Sequence, residues 1–405
     1  MIKQMKIKYF KSIINQTVDF GKLNVFIGAN GAGKSNILEA IGMLSAALSG
    51  SEMEYSRFSE RGMRLSSPAV FRSAFKNIER KPSIDITGVM ENLSYHVNLH
   101  SDDSNNNPWR YSSEEFKRGQ TLSVKISGRS NRGAKVGGIS IAKPTPSQSI
   151  VTATEVLSGF LEKELSQVKD LKDYAIYAPS TPILRGVSPD TSNKSPLGLY
   201  GGSLAEALNN VLSNELLRTE MLSFFKLLDW FYSLGAGPPS GVLQAKHLHT
   251  SNLVVKYKDK YMNKKFDELY AYDVSEGALY ILFVIVLLVH KDSPNIFALD
   301  NVDSCLNPGL ITKLMVYISD KLNENSSKQV FITTHNPTTL DAIDLFNDEH
   351  RLFVVKRGDN GGSVFERVLP PKGFTRENWA EKFYGMKLSE IWLSGAIGGL
   401  PKEGF

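Results

Sequence analysis

The segment from Gly28 to Ser35, GANGAGKS, has the residue types and spacing needed to bind a phosphate chain. It matches the pattern G-x-x-x-x-G-K-[ST], in which glycines let successive backbone N–H groups turn inward around a β-phosphate. Lys34 would bring a positive charge to the β- and γ-phosphates, and the Ser35 hydroxyl would coordinate Mg²⁺. We therefore predict a P-loop that binds a nucleoside triphosphate with Mg²⁺. The residues expected to contact the nucleotide are Gly28, Asn30, Gly31, Ala32, Gly33, Lys34, Ser35 and Asn36.

A P-loop needs a second sequence element, with an acidic residue, to hold the metal. The run from Ile296 to Asp300 is an apolar strand that ends in an aspartate, and Asp300 would hold Mg²⁺ through water. Upstream of it, Ser275 and Gly277 open a strongly apolar helix, whose N-terminus favours an anion. A bare S-x-G is also a common helix cap. Its position between the P-loop and Asp300 favours a role in nucleotide binding.

In this order the motifs resemble those of ABC-type ATPase heads, in the SMC/OLD-like and AAA_21-like branch that includes bacterial anti-phage systems such as Septu and PARIS. The resemblance implies that the ligand is ATP. It also implies that Ser275 and Gly277, as the signature, contact the γ-phosphate of ATP held by the other subunit. His335, which follows a predicted strand, resembles the switch histidine that senses the γ-phosphate. Lys11 and Ser12 resemble the family's N-F-K-S opening and would approach the base and ribose. No glutamine could be assigned to the Q-loop.

The sequence departs from this family directly after the Walker B aspartate. Where the family has a catalytic glutamate, this chain has Asn301, which cannot accept a proton from the attacking water. Losing a general base typically costs ~10²- to 10⁴-fold in rate. Either Asp303 or a residue outside the motif substitutes, or the protein binds ATP much better than it hydrolyses it. The candidate catalytic residues are Lys34, Asp300, Asn301, Asp303 and His335, and the candidate metal ligands are Ser35 and Asp300.

The composition of the chain limits the other classes of protein to which it could belong. The 405 residues are 41% hydrophobic and 22% charged, which is typical of a globular rather than a disordered protein. A net charge of +5 over this length permits contact with DNA but does not argue for it. Cys305 is the sole cysteine, which excludes an internal disulfide and fits the cytoplasm. The most apolar run, Ala278 to Val289, is 12 residues long. A membrane span needs ~20 residues, so we expect a buried helix and no contact with a membrane.

The elements that must position the site alternate between strand and helix. We predict two strands between residues 2 and 27 on either side of a short loop, and a hairpin from Ser83 to Leu99. Polar loops are predicted at 101–107 and 127–138, and helices at 153–172 and 203–234. Hairpins are predicted at 253–269 and 352–368. The fold class is therefore α/β, a P-loop ABC-type head with a mixed central sheet, an antiparallel β lobe and a helical insertion.

The predicted organisation is a single head. Its N-terminal lobe with Walker A covers 1–100, and a middle β/helical insertion covers 101–269. A C-terminal lobe with the signature, Walker B and switch histidine covers 270–370, and a tail of 371–405 could dock on a partner or pack on its own head.

Other patterns have simpler interpretations. His247 and His249 could share a strand face, but with no third ligand nearby a packed or solvated pair is preferred to a metal site. The start of the hairpin at 354–359 resembles that of a TOPRIM nuclease but lacks its metal-binding acidic residues. The lysine-rich stretch from Lys256 to Lys265 is interpreted as a solvated hairpin.

The preferred function is an ATP-gated switch or scaffold in a bacterial defence complex. The head would form a homodimer or higher homo-oligomer around ATP and act with a separately encoded effector. One alternative is a RecF-like DNA-repair ATPase that binds DNA, which salt-sensitive duplex binding would favour. The ATPase subunit of a transporter is a further alternative, disfavoured by the length of the middle segment.

Overall fold

The computed structural model describes most of the chain. The described residues are 1–50, 52–76, 78–101, 109–119, 123–130, 132–142, 144–157, 159–225, 228–239, 253–324 and 327–398. His247, His249 and the last seven residues of the tail, 399–405, therefore lie outside the described part.

The described strands and helices follow each other along the whole chain. The strands are β1 (Ile2–Phe10), β2 (Ile13–Asp19), β3 (Leu23–Ile27), β4 (Ser83–Met90), β5 (Leu93–His100), β6 (Arg110–Arg118), β7 (Val124–Ser130), β8 (Gly133–Val136), β9 (Ile139–Ile141), β10 (Ala175–Tyr177), β11 (Phe231–Gly237), β12 (Val254–Asp259), β13 (Glu268–Tyr270), β14 (Ile296–Leu299), β15 (Gln329–Thr334), β16 (His350–Arg357) and β17 (Ser363–Arg367). The helices are α1 (Lys34–Ala47), α2 (Tyr55–Ser59), α3 (Pro68–Phe71), α4 (Val151–Val156), α5 (Glu162–Lys172), α6 (Thr181–Leu184), α7 (Leu204–Leu212), α8 (Glu215–Phe225), α9 (Glu276–Val289), α10 (Pro308–Asn323), α11 (Arg376–Lys382) and α12 (Leu388–Leu393), with a 3₁₀ helix at Pro337–Ala342.

These elements form two compact units. The first contains residues 1–176, 294–303 and 311–405, and the second contains 177–293 and 304–310.

An antiparallel sheet of the first unit has the strand order β2-β1-β4-β5-β6-β7-β8-β9. Buried and part-exposed residues alternate along β4 and β5, the pattern of strands with one face on a core. Helix α1 packs on this core face, where a Cβ added at Gly88 would lie 2.5 Å from Leu44 Cδ2. Gly88 therefore lets the P-loop helix approach the sheet closely.

A mixed sheet of the same unit has the order β10-β14-β15-β3-β16-β17. Strands β14, β15, β3 and β16 pair in parallel, and β17 runs antiparallel to β16. Every residue of β3, β14 and β15 is buried, as expected for strands covered on both faces. Parallel strands end at the same edge of a sheet, so the segments that follow β3, β14 and β15 meet there.

The second unit combines a three-stranded antiparallel sheet, β11-β12-β13, with helices α6 to α9. Helix α9 is apolar around its whole circumference, and its residues from Gly277 to Leu288 are buried. A helix of this kind belongs in a protein core. No helix among the described residues is both long and apolar enough to span a membrane.

The predicted α/β class, mixed sheet, antiparallel lobe and helical insertion are confirmed, as are the hairpins β4–β5, β12–β13 and β16–β17. Several local predictions are wrong. Between residues 2 and 27 the structure adds β2, and part of 127–138 pairs as β7–β8 instead of forming a loop. The predicted helix at 153–172 is two helices, because the Gly159 N–H bonds back to Thr154 O and closes α4. The predicted helix at 203–234 is two helices, α7 and α8, and β11 follows because its backbone pairs with β12.

The described part of the tail packs on its own unit. Trp392 of α12 is only 7% exposed. The Ser389 N–H of the same helix donates at 2.9 Å to Oδ1 of Asp341, which lies in the 3₁₀ helix. These contacts favour packing over docking for this part of the tail.

Candidate nucleotide-binding site

The P-loop connects β3 to α1 and depends on two of its glycines. A Cβ on Gly28 would lie 2.1 Å from the carbonyl oxygen of Val355 in β16, so no larger residue fits. Gly33 has φ +104°, in the left-handed region that glycine adopts without strain. The chain can therefore turn sharply from a buried strand into a helix N-terminus, the site where oriented N–H groups bind anions.

Lys34 is the cation of this loop and is only 5% exposed. Its Nζ donates to Gly28 O at 2.8 Å and Ala29 O at 3.1 Å, and lies 3.2 Å from His335 Nδ1. Burial lowers the pKa of the Lys34 ammonium to about 8, against the charges of Asp300 and Asp303, which raise it. The ammonium is therefore largely protonated at neutral pH, held by neutral carbonyls and available to an anion.

Three oxygen-bearing side chains, those of Ser35, Asp300 and Thr333, meet next to the P-loop. The Ser35 hydroxyl donates to Asp300 Oδ1 at 3.0 Å, and the Thr333 hydroxyl donates to the same oxygen at 2.5 Å. Mg²⁺ prefers hard oxygen ligands and usually binds one or two carboxylates together with substrate phosphates. Ser35 and Asp300 fit that requirement. Among the described residues, no group of three or more His, Cys, Asp or Glu side chains forms a separate metal cage.

Asn301, Asp303 and His335 complete this edge of the sheet. Asn301 has φ +56°, and its N–H donates to Thr333 Oγ1 at 2.8 Å. The His335 N–H lies 3.3 Å from Asp303 Oδ1. Burial and the Lys34 charge lower the pKa of His335, so its imidazole is neutral at pH 7. The structure thus brings together all five candidate catalytic residues, with both candidate metal ligands.

Lys11 packs against helix α1 beside the P-loop. Its ammonium is buried in an ion pair with Glu39 of α1 at 2.5 Å and lies 4.5 Å from the ring centre of Phe71. Arg64 also donates to Glu39, at 2.8 Å. Burial alone would raise the pKa of Glu39, but these two cations lower it. Lys11 is therefore bound to the side of α1, whereas contact with base and ribose stays a prediction.

Ser12 and Asn36 lie beside the P-loop. Asn36 Nδ2 donates to Ser12 Oγ at 2.6 Å, and Ser12 Oγ shares a 2.6 Å hydrogen bond with Ser363 Oγ. Asn36 also accepts a 2.8 Å hydrogen bond from Arg64. Ser12 and Asn36 are therefore connected to the loop through Ser363, whose hydroxyl donates to Ala32 O.

The candidate signature lies in the second unit. Ser275 is the N-cap of α9, and its Oγ accepts a 3.4 Å hydrogen bond from the Ala278 N–H. A Cβ on Gly277 would lie 3.1 Å from the carbonyl oxygen of Cys305, so the chain passes tightly here. Ser275 is exposed and Gly277 is buried.

Sequence reasoning missed four residues of the site: Arg64, Thr333, Arg357 and Ser363. Thr333 lies two positions before His335, and its place at the end of an apolar strand is the signal that could have found it. Arg357 and Ser363 contact P-loop residues that are 326 and 331 positions away in sequence. No local pattern marks them.

The fold and the site define a P-loop nucleotide-binding protein with the ABC-type head fold. The chain belongs to the family described as "AAA domain, putative AbiEii toxin, Type IV TA system", whose model matches residues 23–341. A comparison with curated protein sequences finds no match.

Solved structures with a similar fold are heads of SMC proteins. One is an SMC head bound to the C-winged helix domain of ScpA, with 14% identity and a TM-score of 0.54 over 92% of this chain and 98% of that one. Another is the SMC head domain from Thermotoga maritima, with 14% identity and a TM-score of 0.46 over 91% and 99% of the two chains. A third is the Pyrococcus furiosus SMC head with an extended coiled coil bound to the C-terminal domain of ScpA, with 14% identity and a TM-score of 0.46 over 95% and 98%.

Proposed function

We propose that this protein binds ATP with Mg²⁺ at the P-loop and that ATP gates the closure of two copies around the nucleotide. The observation that carries the proposal is the meeting of Lys34, Ser35 and Asp300 at the carboxyl edge of the mixed sheet. The loop supplies backbone donors, Lys34 supplies a positive charge, and the two oxygen ligands supply a place for Mg²⁺. His335, within 3.2 Å of the Lys34 ammonium, is the γ-phosphate sensor.

Hydrolysis is slow in this proposal, because Asn301 follows Asp300 and cannot act as a general base. Asp303 is the other candidate base, and its carboxylate already accepts from the His335 backbone. ATP therefore stays bound as the intact triphosphate for longer than in a head with a glutamate at this position.

Closure uses Ser275 and Gly277 in trans. An exposed hydroxyl at the N-terminus of the 14-residue helix α9 is suited to a γ-phosphate, because the helix dipole favours negative charge there. Each copy would then add its signature to the triphosphate held by the other copy.

The biological role in this proposal is a switch or scaffold in a bacterial defence complex with a separately encoded effector, of the kind found in Septu and PARIS. The family description refers to a toxin of a TA system, which supports a function together with a second component. The SMC head with a TM-score of 0.54 is bound to a domain of ScpA, which supports partner binding by heads of this fold.

Lys34→Ala tests the proposed nucleotide site. Titration calorimetry with ATP and Mg²⁺ should show binding by the wild type and a loss of affinity of about 100-fold or more in the variant, because charge-assisted hydrogen bonds to the phosphates disappear. Lys313→Ala, at an exposed position of α10, is the matched control and should bind normally. Equal affinities of wild type and Lys34→Ala would refute the P-loop assignment.

A further inference from the structure

The hairpin β16–β17 contacts the P-loop, although the two segments are more than 300 residues apart in sequence. Arg357 Nε donates to the carbonyl oxygen of Gly31 at 2.9 Å, and Ser363 Oγ donates to the carbonyl oxygen of Ala32 at 2.5 Å. Arg357 is also held by its own hairpin, through a 2.8 Å hydrogen bond from Nη1 to Gly361 O. Two consecutive peptides of the loop are therefore bound by side chains from one hairpin.

Ser363 is the centre of a buried network. It is 2% exposed, and its Oγ lies 2.6 Å from Ser12 Oγ, which in turn accepts from Asn36 of α1 at 2.6 Å. Its backbone N–H donates to Ser12 O at 2.7 Å. Buried polar networks in which each group has a partner hold a single arrangement of the groups around them.

The same two hydroxyls pack on the bare Cα of Gly33. A Cβ added there would lie 2.1 Å from Ser363 Oγ and 2.6 Å from Ser12 Oγ. Since Gly33 has φ +104°, the hairpin and the glycine together keep the loop in the left-handed turn that leads into α1. The position of Ser363 thus sets the backbone immediately before Lys34.

These hydrogen bonds also affect the donors of the loop. Hydrogen bonds in a chain polarise one another, so a donor on a peptide carbonyl strengthens the N–H of the same peptide. The Gly31 carbonyl shares its peptide with the Ala32 N–H, which closes the loop onto Ala29 O at 3.2 Å. The Ala32 carbonyl shares its peptide with the Gly33 N–H, one of the amides expected to face the phosphates.

We propose that Ser363 and Arg357 are positioning residues of the nucleotide site, which hold residues Gly31 to Gly33 in the conformation that receives a triphosphate. The inference rests on the proposed ATP binding and adds that affinity depends on the β16–β17 hairpin. The hairpin would act through the loop backbone, so its loss would weaken binding without removing any predicted phosphate contact.

Ser363→Ala and Arg357→Ala test this role by calorimetry with ATP and Mg²⁺. Each variant loses one hydrogen bond to the loop, so each Kd should rise about threefold to tenfold. Lys356→Ala is the matched control, because its ammonium pairs with Glu366 at 2.6 Å and not with the loop. Ser363→Thr keeps the hydroxyl and should bind better than Ser363→Ala.

A thermal unfolding curve without nucleotide separates positioning from folding. Positioning predicts that Arg357→Ala, at an exposed site, has the unfolding midpoint of the Lys356→Ala control but a higher Kd. Unchanged Kd values in both Ser363→Ala and Arg357→Ala, alongside lost binding in Lys34→Ala, would overturn the positioning role alone. A wild type that does not bind ATP would instead overturn the proposed function.

Discussion

Asn301 follows Asp300 in the sequence but has a different backbone conformation. Its φ of +56° lies in the left-handed region, where Asn and Gly are tolerated and other residues cost about 1–2 kcal/mol. The hydrogen bond from its N–H to Thr333 Oγ1 keeps it there. An asparagine at this position thus suits the local backbone, and this gives it a structural role beside its proposed effect on chemistry.

We predict that the wild type hydrolyses ATP slowly and that Asn301→Glu accelerates the step. The gain should reach up to the ~10²- to 10⁴-fold that a positioned base contributes, reduced by the left-handed backbone that glutamate must adopt. Asn301→Gln imposes a similar backbone demand without a base, so it is the matched control and should stay slow. Single-turnover assays with radiolabelled ATP measure all three proteins.

Asp303→Ala decides between the two candidate positions. If Asn301 occupies the position of the base, removing the Asp303 carboxylate should change a slow rate little. Fast turnover in the wild type that collapses in Asp303→Ala would show that Asp303 is the base and would contradict slow hydrolysis.

At the scale of elements, strand β6 carries a buried carboxyl that binds several parts of the first unit together. Glu114 is 1% exposed and accepts from the Tyr95 hydroxyl of β5 at 2.9 Å, the Ile150 N–H at 2.9 Å and the Ser149 hydroxyl. Tyr111 of the same strand donates to Ala47 O, at the end of the P-loop helix, at 2.8 Å. Burial raises the pKa of Glu114 to about 7, although its hydrogen bonds oppose the rise.

This raised pKa predicts a pH-dependent stability. The folded protein holds the Glu114 proton more tightly than the unfolded chain, so this contribution is fully present below pH 4.5 and is lost as the pH rises through about 7. The stability lost between pH 4.5 and about 7 amounts to about 3 kcal/mol. Glu114→Gln stays neutral throughout, so the free energy of unfolding should fall less in this variant than in the wild type between pH 5 and pH 8.

Urea unfolding at the two pH values measures the difference. Glu115→Gln is the matched control on the same strand, because hydrogen bonds from Lys117 and Lys125 lower the pKa of Glu115 in spite of its burial. That variant should not reduce the loss of stability with pH. Parallel pH profiles for the wild type and Glu114→Gln would contradict a neutral buried carboxyl.

At the scale of the whole molecule, the two parts of the proposed ATP site belong to different compact units. Lys34 and Asp300 lie in the first unit, and Ser275 lies in the second. We predict that Ser275→Arg leaves ATP binding to the isolated protein intact but prevents the ATP-dependent dimer, because a large cation replaces a small hydroxyl at the surface that receives the partner's γ-phosphate.

Sedimentation velocity with and without ATP measures this dimer. Ser213→Arg adds the same charge at an exposed position after α7 and is the control that should still dimerise. An undiminished dimer in Ser275→Arg would mean that Ser275 serves only as the N-cap of α9.

The sequence by itself predicted the features whose chemistry lies within short segments. The P-loop is recognisable because the glycines, Lys34 and Ser35 must be contiguous to wrap one phosphate chain. Asp300 and His335 were recognisable because each directly follows a buried apolar strand, and parallel strands end at one edge. The α/β class followed from the same alternation of strand and helix.

The tertiary structure alone decided which distant side chains support the loop. Arg357 and Ser363 have no local signature, because a single hydrogen bond to a backbone carbonyl can come from any donor that the fold brings close. The burial of Lys11 against Glu39 likewise depends on how the turn between β1 and β2 packs on α1. At 231–234 strand pairing with β12 overrode the predicted helix, since backbone pairing and cross-strand packing outweigh a local helical pattern. Functional motifs whose residues are contiguous can therefore be recognised from the sequence. Contacts between residues hundreds of positions apart form only when the sheets are assembled, so they cannot be predicted from it.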